Sequence, residues 1–165
     1  MTTRETAEAA KANFLRAKGQ ICHALANTPD DRLNWSPSPT ARTPLHQVVH
    51  AANSIEHIYK AMIGQRFAVP TPAEADAGFR EVERGFTTRE AALALLDAKS
   101  DAYIAFLDGM TSEQLDGMMK APFGLGDVPV RIALSFPVEH TNWHVAQIDY
   151  IQTIYGDLDW HMPGQ

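Results

Sequence analysis

Apolar residues recur at three- and four-residue spacing along four long stretches of this 165-residue chain, and no stretch alternates in the manner of a strand. That spacing gathers them on one face of a 3.6-residue helix, and each such face needs other helices to cover it. The fold class that follows is all-α, an antiparallel four-helix bundle with short helices in its connections. The first stretch, Thr3 to Asn27, carries Ala7, Ala10, Phe14, Ala17, Ile21, Ala24 and Leu25, a stripe rich in small residues. In the second, Thr43-Pro44 joins an N-cap to a first-turn proline, and Gly64 supplies the stop. Leu45, Val48, Val49, Ala52, Ile55, Tyr59 and Ile63 form its apolar stripe, while His46, His50, Asn53 and His57 form a polar one well round the helix.

The third long helix opens at Thr87-Thr88-Arg89-Glu90, read as a capping box, and runs through Ala91, Leu95, Ala98, Ala102, Ile104, Phe106 and Leu107 to Gly109. The fourth apolar segment extends from Val130 to Tyr155, with Gly156 as its stop. Pro137 lies inside it, and either bends the axis just before His140 or is itself a first-turn residue with Ser135 as the cap. Between these helices, Thr28 caps a short turn, Ser36-Pro37-Ser38-Pro39 is an extended connector, and Thr111 to Gln114 caps one more turn. The connection from Gln65 to Phe86 contains Pro70, Pro72, Gly78 and Gly85, with a capping-box pattern at Thr71-Pro72-Ala73-Glu74 for one short helix. Its length suits a flap or crossover lying over the bundle. Phe123 to Pro129 is a glycine-rich loop able to fold over the bundle's mouth, and Asp157 to Gln165 is a tail whose Trp160 and His161 read as surface contacts.

A chain of this length makes a single domain, residues 1–165. Its net charge of -6, with lysines and arginines scattered, offers no basic stripe for a nucleic acid. No run approaches the eighteen or so apolar residues of a membrane span. The single cysteine, Cys22, excludes an internal disulfide and reads as a small buried hydrophobe. With no leader at Met1-Thr2-Thr3-Arg4, these features point to the cytoplasm.

The chemistry is concentrated in Glu139-His140-Thr141-Asn142-Trp143-His144. At roughly 100° per residue, His140 and His144 stand about 40° apart, one turn above the other, so both imidazoles can reach one ion. Within about 60° of His140 on the same wheel fall Ala133, Phe136, Gln147, Ile151, Ile154 and Tyr155, so the pair is expected on the core face. A metal satisfies buried ring nitrogens; two core histidines donating to carbonyls would do so as well. Thr141 occupies the position where a zinc peptidase needs its glutamate, and the paired Glu-x-x-His motifs of a ferritin-type site are lacking. Any third ligand must come from another helix.

Thr43-Pro44-Leu45-His46-Gln47-Val48-Val49-His50, together with His140-x-x-x-His144-x-x-Gln147-Ile148, Trp35-x-Pro37 and Gly156, resembles the DinB/YfiT-like family of metal-binding four-helix bundles along nearly the whole chain. The resemblance implies one divalent metal ion, zinc before nickel or iron, on His50, His140 and His144. His50 lies roughly opposite the centre of its helix's apolar stripe, so either the inward face is broader than the apolar count, or His46 or His57 is the ligand. The resemblance also implies a small-molecule substrate. The reaction it suggests first is transfer of a low-molecular-weight thiol, with hydrolysis, or no catalysis at all in a stress-related binding bundle, as the alternatives. It implies a homodimer too, in keeping with the small-residue stripe of the first helix. No acid or base is singled out: Glu56, Glu139 and Asp149 read first as surface or helix-pair charges, and Trp143 and Tyr150 as residues flanking the histidines.

Overall fold

The computed structural model describes residues 1–68 and 71–162; Pro70 and the last residues of the tail, 163–165, lie outside the described residues. Four long helices form the bundle: α1 (Thr3–Ala26), α2 (Pro44–Met62), α4 (Arg89–Asp108) and α7 (Phe136–Ile154). Shorter pieces fill the connections: α3 (Pro72–Glu83), α5 (Ser112–Leu115), β1 (Met118–Lys120), β2 (Asp127–Pro129) and α6 (Val130–Ala133). Both α1 and α2 pack along α4 and α7, so the two consecutive helices α1 and α2 sit on a diagonal of the bundle.

The stripe read in α1 is the buried one, residue for residue. Its alanines face α4 and α7 of the same chain, which uses the small-residue surface internally. In α4 the buried face is Ala92, Leu96, Ser100, Tyr103 and Leu107, one position round from the expected stripe. Tyr103 is the reason: its ring meets Phe14 edge-on at 4.9 Å and its hydroxyl donates to the Leu134 carbonyl, so a residue with a polar tip holds the centre of the core.

Several chain ends differ from the sequence reading. Thr43 caps α2 by accepting from the His46 N–H, and Gly64 at φ 84 and Gly156 at φ 97 follow the ends of α2 and α7 in the left-handed region. The cap of α4 is Thr88, accepting from Ala91, so the box expected from Thr87 to Glu90 does not form. Thr28 does not cap: its hydroxyl turns back to the Ala24 carbonyl, and the short 3-10 turn Asp30–Arg32 starts after Pro29. A strand pair, unread in the sequence, joins Met118–Lys120 to Asp127–Pro129, because three residues a side are too few to show alternation.

The fourth apolar segment is two helices. The chain breaks between Ala133 and Phe136, and Pro137 sits in the first turn of α7, where its missing N–H costs nothing. Ser135 precedes α7, but its hydroxyl donates to the Ile132 carbonyl instead of capping. The core face of α7 is therefore Thr141, His144, Ile148, Ile151 and Gln152; His140 lies at its edge, and Gln147 and Ile154, expected on that face, are exposed.

Candidate metal centre

Helix α2 is covered on almost every side, by α4 and α7 along the bundle and by α3 and β1 on its outer flank. Gln47, Ala51 and Ser54 are buried on the flank where the apolar count had left a polar stripe. His50 belongs to that enclosed flank, so the broader inward face is the explanation of its place on the wheel. Its ring centroid stands 5.4 Å from that of His140 and 5.0 Å from that of His144, and those two stand 4.6 Å apart. One ring nitrogen from each of the three lies within 4.8 Å of the others. Neither of the alternatives joins them: His46 Nε2 donates to the Phe86 carbonyl, and His57 lies edge-on to Phe67 and Phe79.

The hydrogen bonds orient two of the rings. His144 Nδ1 donates to Gln47 Oε1 at 2.6 Å, which leaves the lone pair on Nε2, a buried atom with no partner. His50 Nδ1 donates to Glu83 Oε1 at 3.0 Å, leaving its Nε2 lone pair likewise. In His140 a buried Nδ1 has no partner. Buried nitrogens without partners are costly, and a divalent ion would satisfy them. The donor set fits a divalent ion.

Glu83, whose side chain is 2 % exposed, ends α3 and accepts from Arg42 Nε with both oxygens, at 2.8 and 2.9 Å, as well as from His50. Burial alone would raise its pKa; the hydrogen bonds from His50 and Arg42 outweigh it and hold the carboxyl below its usual range. Arg42 also donates to Asp76 at 2.6 Å, and Asp76 accepts from Arg80. Burial, with the neighbouring imidazoles, pushes His140 down to about 4 and His144 down to about 2, so both are neutral at physiological pH, the form that binds a metal.

Beside the histidines opens a cavity of about 490 Å³. Its wall includes Phe67, Phe79, Phe123, Phe136 and Trp143, contributed by the 65–86 connection, the hairpin loop and α7. The two segments expected to cover the mouth therefore do so. Trp143 lines the cavity, whereas Tyr150 is 68 % exposed and does not. Of the acids considered in the sequence, Glu56 pairs with Lys60 and Lys99, and Glu139 and Asp149 are exposed. Sequence reasoning missed Gln47 and Glu83. Gln47 was within reach, since it precedes His50 by three residues on a helix and shares its face; Glu83 had no local signal, being 33 residues from its histidine.

A model of the DinB superfamily matches residues 14–148. Among solved structures, YfiT from Bacillus subtilis, described as a probable metal-dependent hydrolase with an unusual four-helix bundle topology, aligns with a TM-score of 0.70 at 17% identity, over 94% of this chain and 91% of its own. A DinB-like protein from the same organism, YjoA, aligns with a TM-score of 0.63 at 18% identity, over 92% of this chain and 94% of its own. No curated protein matches.

Proposed function

Because the chain belongs to the DinB superfamily, we propose that it is a metal-dependent enzyme acting on a small molecule, with His50, His140 and His144 holding one divalent ion. The observation that carries this reading is the convergence of three imidazoles from two helices, with unpartnered nitrogens turned inward and Gln47 and Glu83 fixing the tautomers from outside. Zinc is the ion we favour for neutral imidazole ligands, ahead of nickel or iron. Bound there, an ion held by neutral imidazoles would keep its full charge and would supply a Lewis acid at the cavity.

The chain's own residues do the rest. Glu83 accepts a hydrogen bond from His50 Nδ1–H and so presents Nε2, and Arg42 holds Glu83 ionised. Gln47 does the same for His144. The aromatic wall limits the water that reaches the histidines and seats a substrate against them. Hydrolysis of a small molecule is the first reading, in line with what YfiT is described as. Transfer of a low-molecular-weight thiol is the second, since a cation held by neutral imidazoles would favour ionisation of a thiol as it would of water. The test is metal analysis of protein prepared without a histidine tag, followed by titration of the cobalt-substituted form with small thiols and assays of ester and amide cleavage. A sulfur-to-metal charge-transfer band selects transfer; metal-dependent cleavage without a band selects hydrolysis. A chain with neither signal is a binding protein.

We also propose that the chain forms a homodimer through the outer face of α7, where Trp143, Tyr150 and Ile154 are exposed on one side of the helix. Light scattering giving a monomer would remove this.

A further inference from the structure

The cavity wall can be followed ring by ring away from the histidines. His50 meets Phe79 edge-on at 4.6 Å, Phe79 stacks on Phe67 with centroids 6.3 Å apart and planes 15° apart, and Phe67 meets Phe123 edge-on at 5.7 Å. Ile58, Ala75 and Leu125 are further parts of the apolar lining. The charged members of the wall are already committed. Arg42 gives Nε to Glu83 and Nη2 to Asp76, and the second oxygen of Asp76 accepts from Arg80. Two further cations stand close by, but Arg66 and Lys120 are exposed and line a separate outer cleft that meets the cavity only along Phe67, Ala121, Pro122 and Phe123.

An anionic group drawn into this cavity would lose its water and find, among the described residues of the wall, no cation left to pair with. An aryl group loses nothing on entering and gains edge-on and stacked contacts with rings already placed. At about 490 Å³ the space accommodates a two-ring substituent together with the polar group that would face the histidines.

We infer that the site selects an uncharged small molecule bearing an aryl group, which lies between Phe67, Phe79 and Phe123 with its polar, reactive end at His50, His140 and His144. This deepens the proposed function and rests on it for the position of the reactive end. The ring contacts with the wall do not depend on the ion, whereas an ion on the histidines would itself attract a carboxylate, so discrimination against charge is read on the metal-free chain. A small anionic thiol is thereby a poor occupant of the inner cavity, and a thiol substrate would have to be neutral and apolar.

The test uses two probes of one shape, 2-naphthamide and 2-naphthoate, with the full chain kept metal-free in EDTA at pH 8 and binding followed by calorimetry. The amide is expected to bind at least tenfold tighter than the carboxylate. Phe79→Ala and Phe123→Ala are each expected to weaken the amide about tenfold; Phe123 lies in the exposed hairpin loop, so its variant reports on the wall if the change in α3 disturbs folding. The inference is overturned if the carboxylate binds as tightly as the amide, or if folded variants at both positions bind the amide as the parent does. If metal analysis finds no ion while the amide still binds selectively, the metal reading fails and the substrate class stands.

Discussion

Replacing Glu83 by glutamine tests whether that carboxylate acts on His50 as the proposed metal ligand or only on the fold. The Glu83 side chain is 2 % exposed and its partners Arg42 and His50 are each 12 % exposed. Oε1 accepts from both Arg42 Nε and His50 Nδ1, while Oε2 accepts from Arg42 alone. If the glutamine oxygen replaces Oε1, both donors keep a neutral acceptor and the new NH₂ faces an Arg42 N–H. One charge-assisted bond is lost, Arg42 retains Asp76, and a cost of about 2–3 kcal/mol is expected in the metal-free chain. His50 loses the anionic acceptor that orients its ring, and zinc affinity should fall about 10–100-fold. Arg42→Met separates the two effects. It strands Glu83 in a buried place and should cost about 3–5 kcal/mol of stability, yet it leaves the His50–Glu83 hydrogen bond and removes a nearby cation, so zinc affinity should fall less than in Glu83→Gln. Denaturant unfolding in EDTA reads the first quantity and chelator competition the second. A folded Glu83→Gln protein with zinc affinity within about threefold of the parent would refute the reasoning, as would an Arg42→Met protein that loses affinity as much as Glu83→Gln does.

Three further outcomes are expected. His50→Ala, His140→Ala and His144→Ala should each lose stoichiometric metal, while His46→Ala and His57→Ala retain it; retention in both His140→Ala and His144→Ala would end the metal reading. The folded-state pKa values of His140 and His144 lie below the unfolded value near 6.5, so below that pH the unfolded chain binds more protons and the metal-free fold loses stability. That loss should begin near pH 6.5 and continue through about 4 for His140 and toward about 2 for His144, with a limiting slope of about 1.4 kcal/mol per pH unit per site; a flat profile between pH 7 and 5 in urea denaturation would contradict it. Tyr103→Phe keeps the ring against Phe14 and removes one buried hydrogen bond, so it should cost about 1 kcal/mol, against about 3–5 kcal/mol for Tyr103→Ala, both measured by thermal or urea unfolding.

The differences between the sequence reading and the structure share a cause. The apolar stripe of α1 was legible because nearly all its core residues are aliphatic or small, whereas the face of α4 was displaced by one residue because Ser100 and Tyr103 are buried polar residues. Capping patterns were reliable at Thr43, Thr71 and Thr111, misplaced where two neighbours could serve, at Thr87 and Thr88, and failed at Thr28, whose hydroxyl is taken by the Ala24 carbonyl. Periodicity counts hydrophobicity, and a histidine, tyrosine or glutamine that enters the core with its polar atoms satisfied is counted on the wrong side.

By itself the sequence determined the local matters: four helices, their approximate ends, and the stacking of His140 over His144, all of which follow from spacing along one strand of covalent chain. The partner from α2 was a choice among His46, His50 and His57 that spacing does not settle. Tertiary structure sets His50, and not the other two, beside that pair by laying α3 and β1 over a flank of α2 that would otherwise face water, which half-buries His50, brings Glu83 to its Nδ1 and turns His46 to the Phe86 carbonyl and His57 to Phe67. The aromatic cavity is likewise assembled from segments far apart in the chain. Contacts across 33 to 97 residues, such as His50 with Glu83 and His144 with Gln47, leave no periodic trace, because nothing in the local backbone geometry of either residue depends on the other.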